Sequence, residues 1–252
     1  MDQSAQSPYT AFEALDCYDL IEWAGTQPWS TGRVGLSGVS YLASIQWFVA
    51  ALAPPHLAAI NPWEGWSDTY REVARHGGIP ETCFWRYLPS RWGHSVTEVE
   101  DLAAEDAEHP LYDAFWASKS APLERITVPA FVVASWSDQG LHTRGTLEGF
   151  KQIASRQKWL EVHGRKKWAY FYERVPMERL REFFDHFLLG KSTGVLSWHG
   201  SPCCGTLECY RSRTESPRVW RSRSGPQERA LRQVKDCVWW CRGATCTTIP
   251  QS

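Results

Sequence analysis

The sequence lacks the features that mark membrane and nucleic-acid partners. It contains no run of eighteen apolar residues, so we expect no membrane span. The first twenty residues contain no Lys or Arg and no apolar stretch of the signal-peptide type, which favours a cytoplasmic location. The formal net charge is only −1, so we expect neither nucleic acid nor an anionic membrane as a partner.

Metal-binding and phosphate-binding motifs are also missing. Only Cys17 and Cys83 precede residue 200, and a cytoplasmic location predicts free thiols there. Six more Cys follow residue 200, but their spacings do not fit the C-x₂-C pairs of zinc sites. No glycine-rich phosphate loop occurs between a strand and a helix. We therefore expect no metal and no organic cofactor.

The order of apolar segments predicts an α/β protein. Short strand-like segments alternate with longer segments of helical spacing, an order typical of a parallel sheet covered by helices. The predicted strands are RVGLSGV, LAAINPW, ITVPAFVVASW and KWLEVH. The predicted helices are AFEALDCYDLIEWA, YLASIQWFVAAL, TRGTLEGFKQIAS and PMERLREFFDHFLLG.

Breaks in this alternation divide the chain into four parts. Residues 1–64 and 125–197 form the two parts of the predicted core. Residues 65–124 lose the strand-helix rhythm and are interpreted as a mainly helical insertion. Residues 198–252 show neither strand nor helix periodicity and differ in composition, so we expect an irregular, disordered tail there.

Ser40 stands between a predicted strand and a predicted helix. A nucleophile elbow needs this strand-turn-helix setting and small neighbours, which Gly38 and Ala43 supply. The backbone N–H of Tyr41 would then lie at a helix N-terminus and stabilise an oxyanion. The full G-x-S-x-G pattern fails because Leu42 takes the last position. A serine that only caps the helix is an equally good interpretation of these six residues.

Two residues further along the chain favour the nucleophile. A serine needs a base to take its proton, and that base needs a third group to orient it. Asp138 and His163 follow the last two predicted strands, in the chain order of α/β-hydrolases. Parallel sheets place their sites at the carboxyl ends of strands. We therefore predict a Ser40–Asp138–His163 triad.

Several other residues are weaker candidates for the site. His76, His94 and His142 are alternative bases, and His142 is interpreted as a surface histidine. Aromatic side chains near the predicted strand ends favour an apolar substrate pocket, with Trp66 and Trp136 as the candidates. Two carboxylates, Glu64 and Asp68, are candidates for holding the free amine of a peptide substrate, although cap or surface roles are equally open.

Several motifs together resemble one family of α/β-hydrolases. GVSYLA followed by QW, then NPWEGWSDTYRE, HGGIP, SWSD and VHGRKKW are similar to motifs of the cocaine-esterase and X-Pro dipeptidyl-peptidase family. The resemblance covers about residues 16–195. It implies an α/β-hydrolase fold, with an open, mostly parallel sheet, helices on both faces and residues 65–124 as a cap. It also implies Ser40 as nucleophile, Asp138 as acid and His163 as base.

The resemblance implies a serine hydrolase that cleaves an ester, an amide or an X-Pro dipeptide bond through an acyl-enzyme. The partner would be a small ester or amide or a short peptide. The sequence does not specify an oligomeric state. The chain departs from the family in two places. No residue matches the early tyrosine that completes the family's oxyanion hole, since Tyr9 lies too close to the elbow, and no C-terminal jelly-roll domain follows. The alternative is therefore a catalytically impaired or non-catalytic fragment of such a hydrolase.

Overall fold

The computed structural model describes residues 5–6, 10–92, 98–198, 237–242 and 245–250. The strands are β1 (Ala5–Gln6), β2 (Val34–Val39), β3 (Leu57–Trp63), β4 (Arg75–His76), β5 (Ile79–Pro80), β6 (Glu98–Val99), β7 (Ala130–Ser135), β8 (Lys158–His163), β9 (Cys237–Arg242) and β10 (Thr245–Pro250). The α-helices are α1 (Ala11–Thr26), α2 (Tyr41–Ala50), α3 (Phe84–Trp92), α4 (Leu102–Glu108), α5 (Ala114–Ser118), α6 (Thr143–Gln152), α7 (Lys167–Phe171) and α8 (Arg174–Leu189). Every strand and helix predicted for the core is present.

The main sheet has six strands in the order β10-β9-β8-β7-β3-β2. Strands β2, β3, β7 and β8 are parallel to their neighbours, so all four end at the same edge of the sheet. The two smaller sheets each have two strands, β1 with β6 and β4 with β5. The shared carboxyl edge of the parallel strands is where the candidate site lies.

Alternating side chains of the parallel strands build a separate core on each face of the sheet. Ile60, Val132 and Leu160 belong to a first hydrophobic cluster, which also contains Trp47 of α2 and Phe150 of α6. Their sequence neighbours point the other way, because side chains of a strand alternate between its faces. Ala59, Phe131 and Trp159 belong to a second cluster with Phe183 and Phe187 of α8. Helices therefore cover both faces, as predicted.

Residues 65–92 and 98–124 contain several short helices, and two ion pairs connect different parts of this segment to each other. A π-helix (Tyr70–Ala74), the β4–β5 hairpin, α3, α4 and α5 follow one another in this segment. The Lys119 ammonium lies 2.6 Å from Glu100, and the Arg75 guanidinium lies 2.9 Å from Asp106. Lys119 is fully buried, so its charge needs this partner. The role of the segment as a cap stays a prediction.

The C-terminal part is not irregular throughout, so that prediction is wrong for part of the tail. Strands β9 and β10 form an antiparallel hairpin, and β9 pairs antiparallel with β8. Trp198 already packs against Phe131 and Trp159 of the second cluster. The hairpin covers the edge that β8 would otherwise expose, and such edges favour pairing. The expectation for residues 199–236 lies outside the described residues.

Among the helices in the described ranges, none combines the length and the apolarity needed to cross a bilayer.

Candidate active site

Ser40 sits on a strained turn between β2 and α2. Its backbone angles are φ 65° and ψ −117°, which a residue with a side chain rarely adopts. Such strain costs about 1–3 kcal/mol and is typical of functional positions. The Ser40 side chain makes no capping hydrogen bond to α2, so the interpretation as a simple helix cap is wrong. The turn needs a small residue before it, since a Cβ on Gly38 would lie 2.4 Å from the Leu42 Cβ.

His142 is the histidine that the structure brings to Ser40. Its Nε2 lies 3.1 Å from the Ser40 Oγ, and its Nδ1 lies 2.6 Å from Asp138 Oδ2. A carboxylate beside Nδ1 holds the ring proton there, which leaves the Nε2 lone pair facing the serine hydroxyl. The interpretation of His142 as a surface histidine is wrong, because it is 0% exposed.

A tight turn and an aromatic ring hold His142 in place. The Asp138 carbonyl accepts hydrogen bonds from the N–H groups of the three residues that end the turn, Leu141, His142 and Thr143. This turn brings side chains four positions apart together, as one turn of helix would. The Trp66 ring stacks on the imidazole at 5.2 Å between centroids, with 17° between the planes.

His163 does not occupy the position that the sequence predicts for the base. Its Nδ1 accepts a hydrogen bond from the Arg165 backbone N–H at 3.2 Å, so the ring proton lies on Nε2. That Nε2 donates to Glu64 Oε1 at 3.1 Å. His163 is fully buried, and burial lowers its pKa to about 4. The structure therefore pairs His163 with Glu64 rather than with Ser40, and His142 replaces it as the candidate base.

Glu64 is a second strained and buried residue beside the site. It follows β3 as Ser40 follows β2, and it too has a positive φ, 54°. Oε1 accepts from the Trp63 indole N–H and from His163, whereas the buried Oε2 has no donor among the described residues. Burial and the negative charge of Asp138 raise the pKa of Glu64 to about 9. Glu64 is thus a protonated acid at neutral pH.

Lys167, the first residue of α7, completes the charged part of the site. Its ammonium lies 3.0 Å from Asp138 Oδ2 and 3.1 Å from His142 Nδ1. Burial opposes ionisation of Asp138, but the hydrogen bond from His142 and the charge of Lys167 bring the Asp138 pKa below its usual value. Burial lowers the pKa of His142, and the charge of Lys167 lowers it further. Asp138 is therefore ionised and His142 neutral at neutral pH.

The other predicted site residues are placed as follows. Tyr41 is the first residue of α2, so its backbone N–H lies directly after Ser40 at a helix N-terminus. Trp66 is 2% exposed and contacts His142, so it packs against the candidate base rather than lining an open pocket. Trp136 is partly buried against the first cluster, and its backbone N–H donates to the His163 carbonyl. The predicted substrate role of both tryptophans stays a prediction.

The two predicted carboxylates for a substrate amine lie in different surroundings. Glu64 is 0% exposed, and Asp68 forms an ion pair with Arg71. A cavity of about 310 Å³ lies between Arg71, Ser120 and Arg144, and its lining does not include Ser40. Across the ranges that the structure describes, no group of three or more His, Cys, Asp or Glu is placed to hold a metal ion.

Comparison with known proteins identifies relatives of this chain. The profile of the X-Pro dipeptidyl-peptidase (S15) family matches residues 6–166. A putative Xaa-Pro dipeptidyl-peptidase of Bacillus anthracis is 26% identical over 190 residues, covering 67% of this chain and 31% of that protein. The cocaine esterase of Rhodococcus sp. strain MB1 Bresler is 41% identical over 64 residues, covering 25% of this chain and 11% of that protein.

A solved structure shows the same fold. The crystal structure of a CocE/NonD family hydrolase from Staphylococcus aureus superposes with a TM-score of 0.74 at 49% sequence identity. The match covers 80% of this chain and 36% of that chain, so this chain spans about a third of the length of these longer relatives. The predicted α/β-hydrolase fold is confirmed. The profile match extends over more than half of the residues, and the chain therefore belongs to the X-Pro dipeptidyl-peptidase (S15) family.

Proposed function

We propose that this chain is a serine hydrolase in which Ser40 is the nucleophile, His142 the general base and Asp138 the carboxylate that orients the base. One observation carries the proposal. Two consecutive hydrogen bonds, 3.1 Å and 2.6 Å long, connect the hydroxyl of a strained elbow serine to a carboxylate through a buried imidazole. The family membership of the chain supports the same reaction class.

The proposed reaction depends on transfer of the Ser40 hydroxyl proton to His142 and from there to the leaving group. Ser40 Oγ attacks the carbonyl carbon of the substrate while its proton moves to His142 Nε2. The Asp138 carboxylate stabilises the imidazolium that results. The negative charge on the substrate oxygen lies near the N-terminus of α2, where the Tyr41 N–H is our proposed oxyanion donor. His142 then gives the proton to the leaving group, and a water activated by His142 releases the acyl group from Ser40.

The substrate class is an ester, an amide or an X-Pro dipeptide amide, and the site favours the first two. An X-Pro peptidase that recognises a free amine needs an accessible carboxylate. Glu64 is buried and protonated, and Asp68 is engaged by Arg71. We therefore propose turnover of simple esters ahead of X-Pro amides. Turnover of an aminoacyl-proline amide, without turnover of its N-acylated form, would contradict this order.

The alternative is a fragment that keeps the triad but turns over slowly or not at all. It rests on the departure seen in the sequence, where no residue matches the tyrosine that completes the family's oxyanion hole. Loss of a single oxyanion donor costs about 10²- to 10³-fold in turnover. Such a fragment would react with an acylating probe but show little turnover of substrate.

Labelling with a fluorophosphonate probe tests the proposal directly. We expect the purified chain to label and the Ser40→Ala variant not to label. The decisive pair is His142→Gln against His163→Gln, each checked for folding by circular dichroism and thermal melting. Loss of the base should slow labelling by about 10²- to 10⁴-fold in the first variant only. A folded chain that does not label would overturn the proposal, and loss in the His163 variant alone would restore His163 as the base.

A further inference from the structure

We infer that Lys167 is a positioning residue of this site, which fixes the Asp138 carboxylate and holds a positive charge against the imidazole of His142. The inference rests on the proposed function, since it assigns His142 the role of base. Lys167 reaches the site from α7, an element separate from the turn that carries Asp138 and His142. Its side chain is only 17% exposed, so its charge is partly shielded from water.

The Asp138 carboxylate and the Lys167 ammonium both lie within hydrogen-bond distance of His142 Nδ1. The two distances indicate whether this nitrogen carries the ring proton. His142 Nδ1 is 2.6 Å from Asp138 Oδ2 and 3.1 Å from the Lys167 Nζ. An ammonium only donates hydrogen bonds. If Lys167 donated to Nδ1, the ring proton would lie on Nε2 and point at Ser40, and the ring could not act as a base. The shorter contact, to a carboxylate, instead selects the Nδ1–H tautomer.

Lys167 then donates to Asp138, and this has two consequences. The carboxylate receives donors from both Lys167 and His142 at Oδ2, which fixes its rotation about the side chain. The ammonium also remains beside a ring that must become positively charged when it takes the serine proton. Lys167 therefore keeps the base neutral at lower pH than Asp138 alone would allow, at some cost in imidazolium stability.

The groups that face this cluster come from four elements. Ser40 at the start of α2 and Trp66 after β3 face His142, and neither carries a charge. Glu64, which also follows β3, faces Asp138 as a neutral acid at neutral pH. Asp138 and Lys167 are thus the charges that act on the ring. Removal of Lys167 leaves the Asp138 carboxylate as the charged neighbour of His142, so the imidazolium becomes easier to form.

The test is the pH dependence of kcat/KM for an ester substrate in Lys167→Met, with Lys166→Met as the matched control. Lys166 is the adjacent lysine and is exposed, so both variants lose the same charge. In the pH profile of kcat/KM for Lys167→Met, we expect the acidic limb to lie about one pH unit higher than in the wild type. A nearby charge shifts a pKa by about this amount. The limb of Lys166→Met should stay in place. Lys167→Arg, which keeps the charge, should retain the wild-type limb.

A second readout separates this inference from the proposed function. The imidazole of His142 can be titrated by NMR in the Ser40→Ala background, with and without Lys167→Met. A higher His142 pKa in the double variant supports the inference even if the chain turns over no substrate. An unchanged or lower pKa, or an acidic limb that does not move up in Lys167→Met, would overturn it. A loss of kcat without movement of the limb would mean that Lys167 acts only in packing.

Discussion

Replacement of Glu64 by Gln should make the stability of the protein less dependent on pH. Glu64 keeps its proton in the fold up to a pKa of about 9, whereas an unfolded glutamate releases its proton near pH 4.5. Between these values the folded chain therefore binds more protons than the unfolded chain, and stability falls as the pH rises. Glutamine keeps the oxygen that accepts from His163 and Trp63 but has no proton to lose in this range.

The size of the effect follows from the pKa shift. A group that is protonated in the folded state and ionised in the unfolded state contributes a slope of about −1.4 kcal/mol per pH unit. From pH 5.5 to pH 8 the wild type should thus lose about 3 kcal/mol that Glu64→Gln does not lose. Water does not screen the carboxyl group in the fold, since Glu64 is 0% exposed.

Urea unfolding of the wild type and Glu64→Gln at several pH values measures this difference. Other titrating groups affect both proteins alike. The pH dependence of the difference between the two free energies of unfolding therefore reports on Glu64. Glu124→Gln is the matched control, because Glu124 is exposed. The free energy of unfolding of this variant should differ from that of the wild type by the same amount at every pH. A constant difference for Glu64→Gln as well would show that Glu64 is ionised in the fold, and the reasoning would fail.

Two further substitutions test the elbow. Ser40→Gly should be more stable than Ser40→Ala by about 1–2 kcal/mol in chemical denaturation, because glycine adopts the positive φ without strain; equal stabilities would argue against a strained turn. Gly65→Ala should cost about 1–3 kcal/mol and slow fluorophosphonate labelling, because its Cβ would lie 2.7 Å from both the Ala43 Cβ and the Ser44 N. Gly140→Ala is its control, as nothing lies within 4 Å, and equal effects would refute the packing argument.

The sequence was sufficient to predict the four parallel strands, the four core helices and the positions of two residues of the candidate site. The parallel strands are buried on both faces, so each appears as a short, largely apolar segment bounded by turns. Ser40 and Asp138 could be placed because each follows such a strand. The β9–β10 hairpin was missed because its stability depends on pairing with β8, and strand propensity alone does not reveal a distant partner.

The structure places His163 away from Ser40 because the end of a strand does not specify a face of the sheet. His163 ends β8, but its ring packs with Trp63 and Tyr170 of the second cluster. His142 lies against Trp66 of the first cluster. The four-residue spacing between Asp138 and His142 was a usable signal, since one helical turn brings such side chains together. A histidine in a loop, however, suggests an exposed position, and this favours the surface interpretation.

The position of β2 at the end of the strand order makes Ser40 sensitive to local opening. Within the described residues, β2 pairs with β3 only, so a single ladder of hydrogen bonds holds the strand that carries the elbow. The hydrogen bond from the Ser40 backbone N–H to the Trp63 carbonyl also connects the elbow to β3. Backbone strain favours any opening that relieves it. Separation of β2 from β3 would thus release the strained serine while the His142–Asp138–Lys167 cluster stayed assembled, so that the proposed nucleophile would be lost before the proposed base.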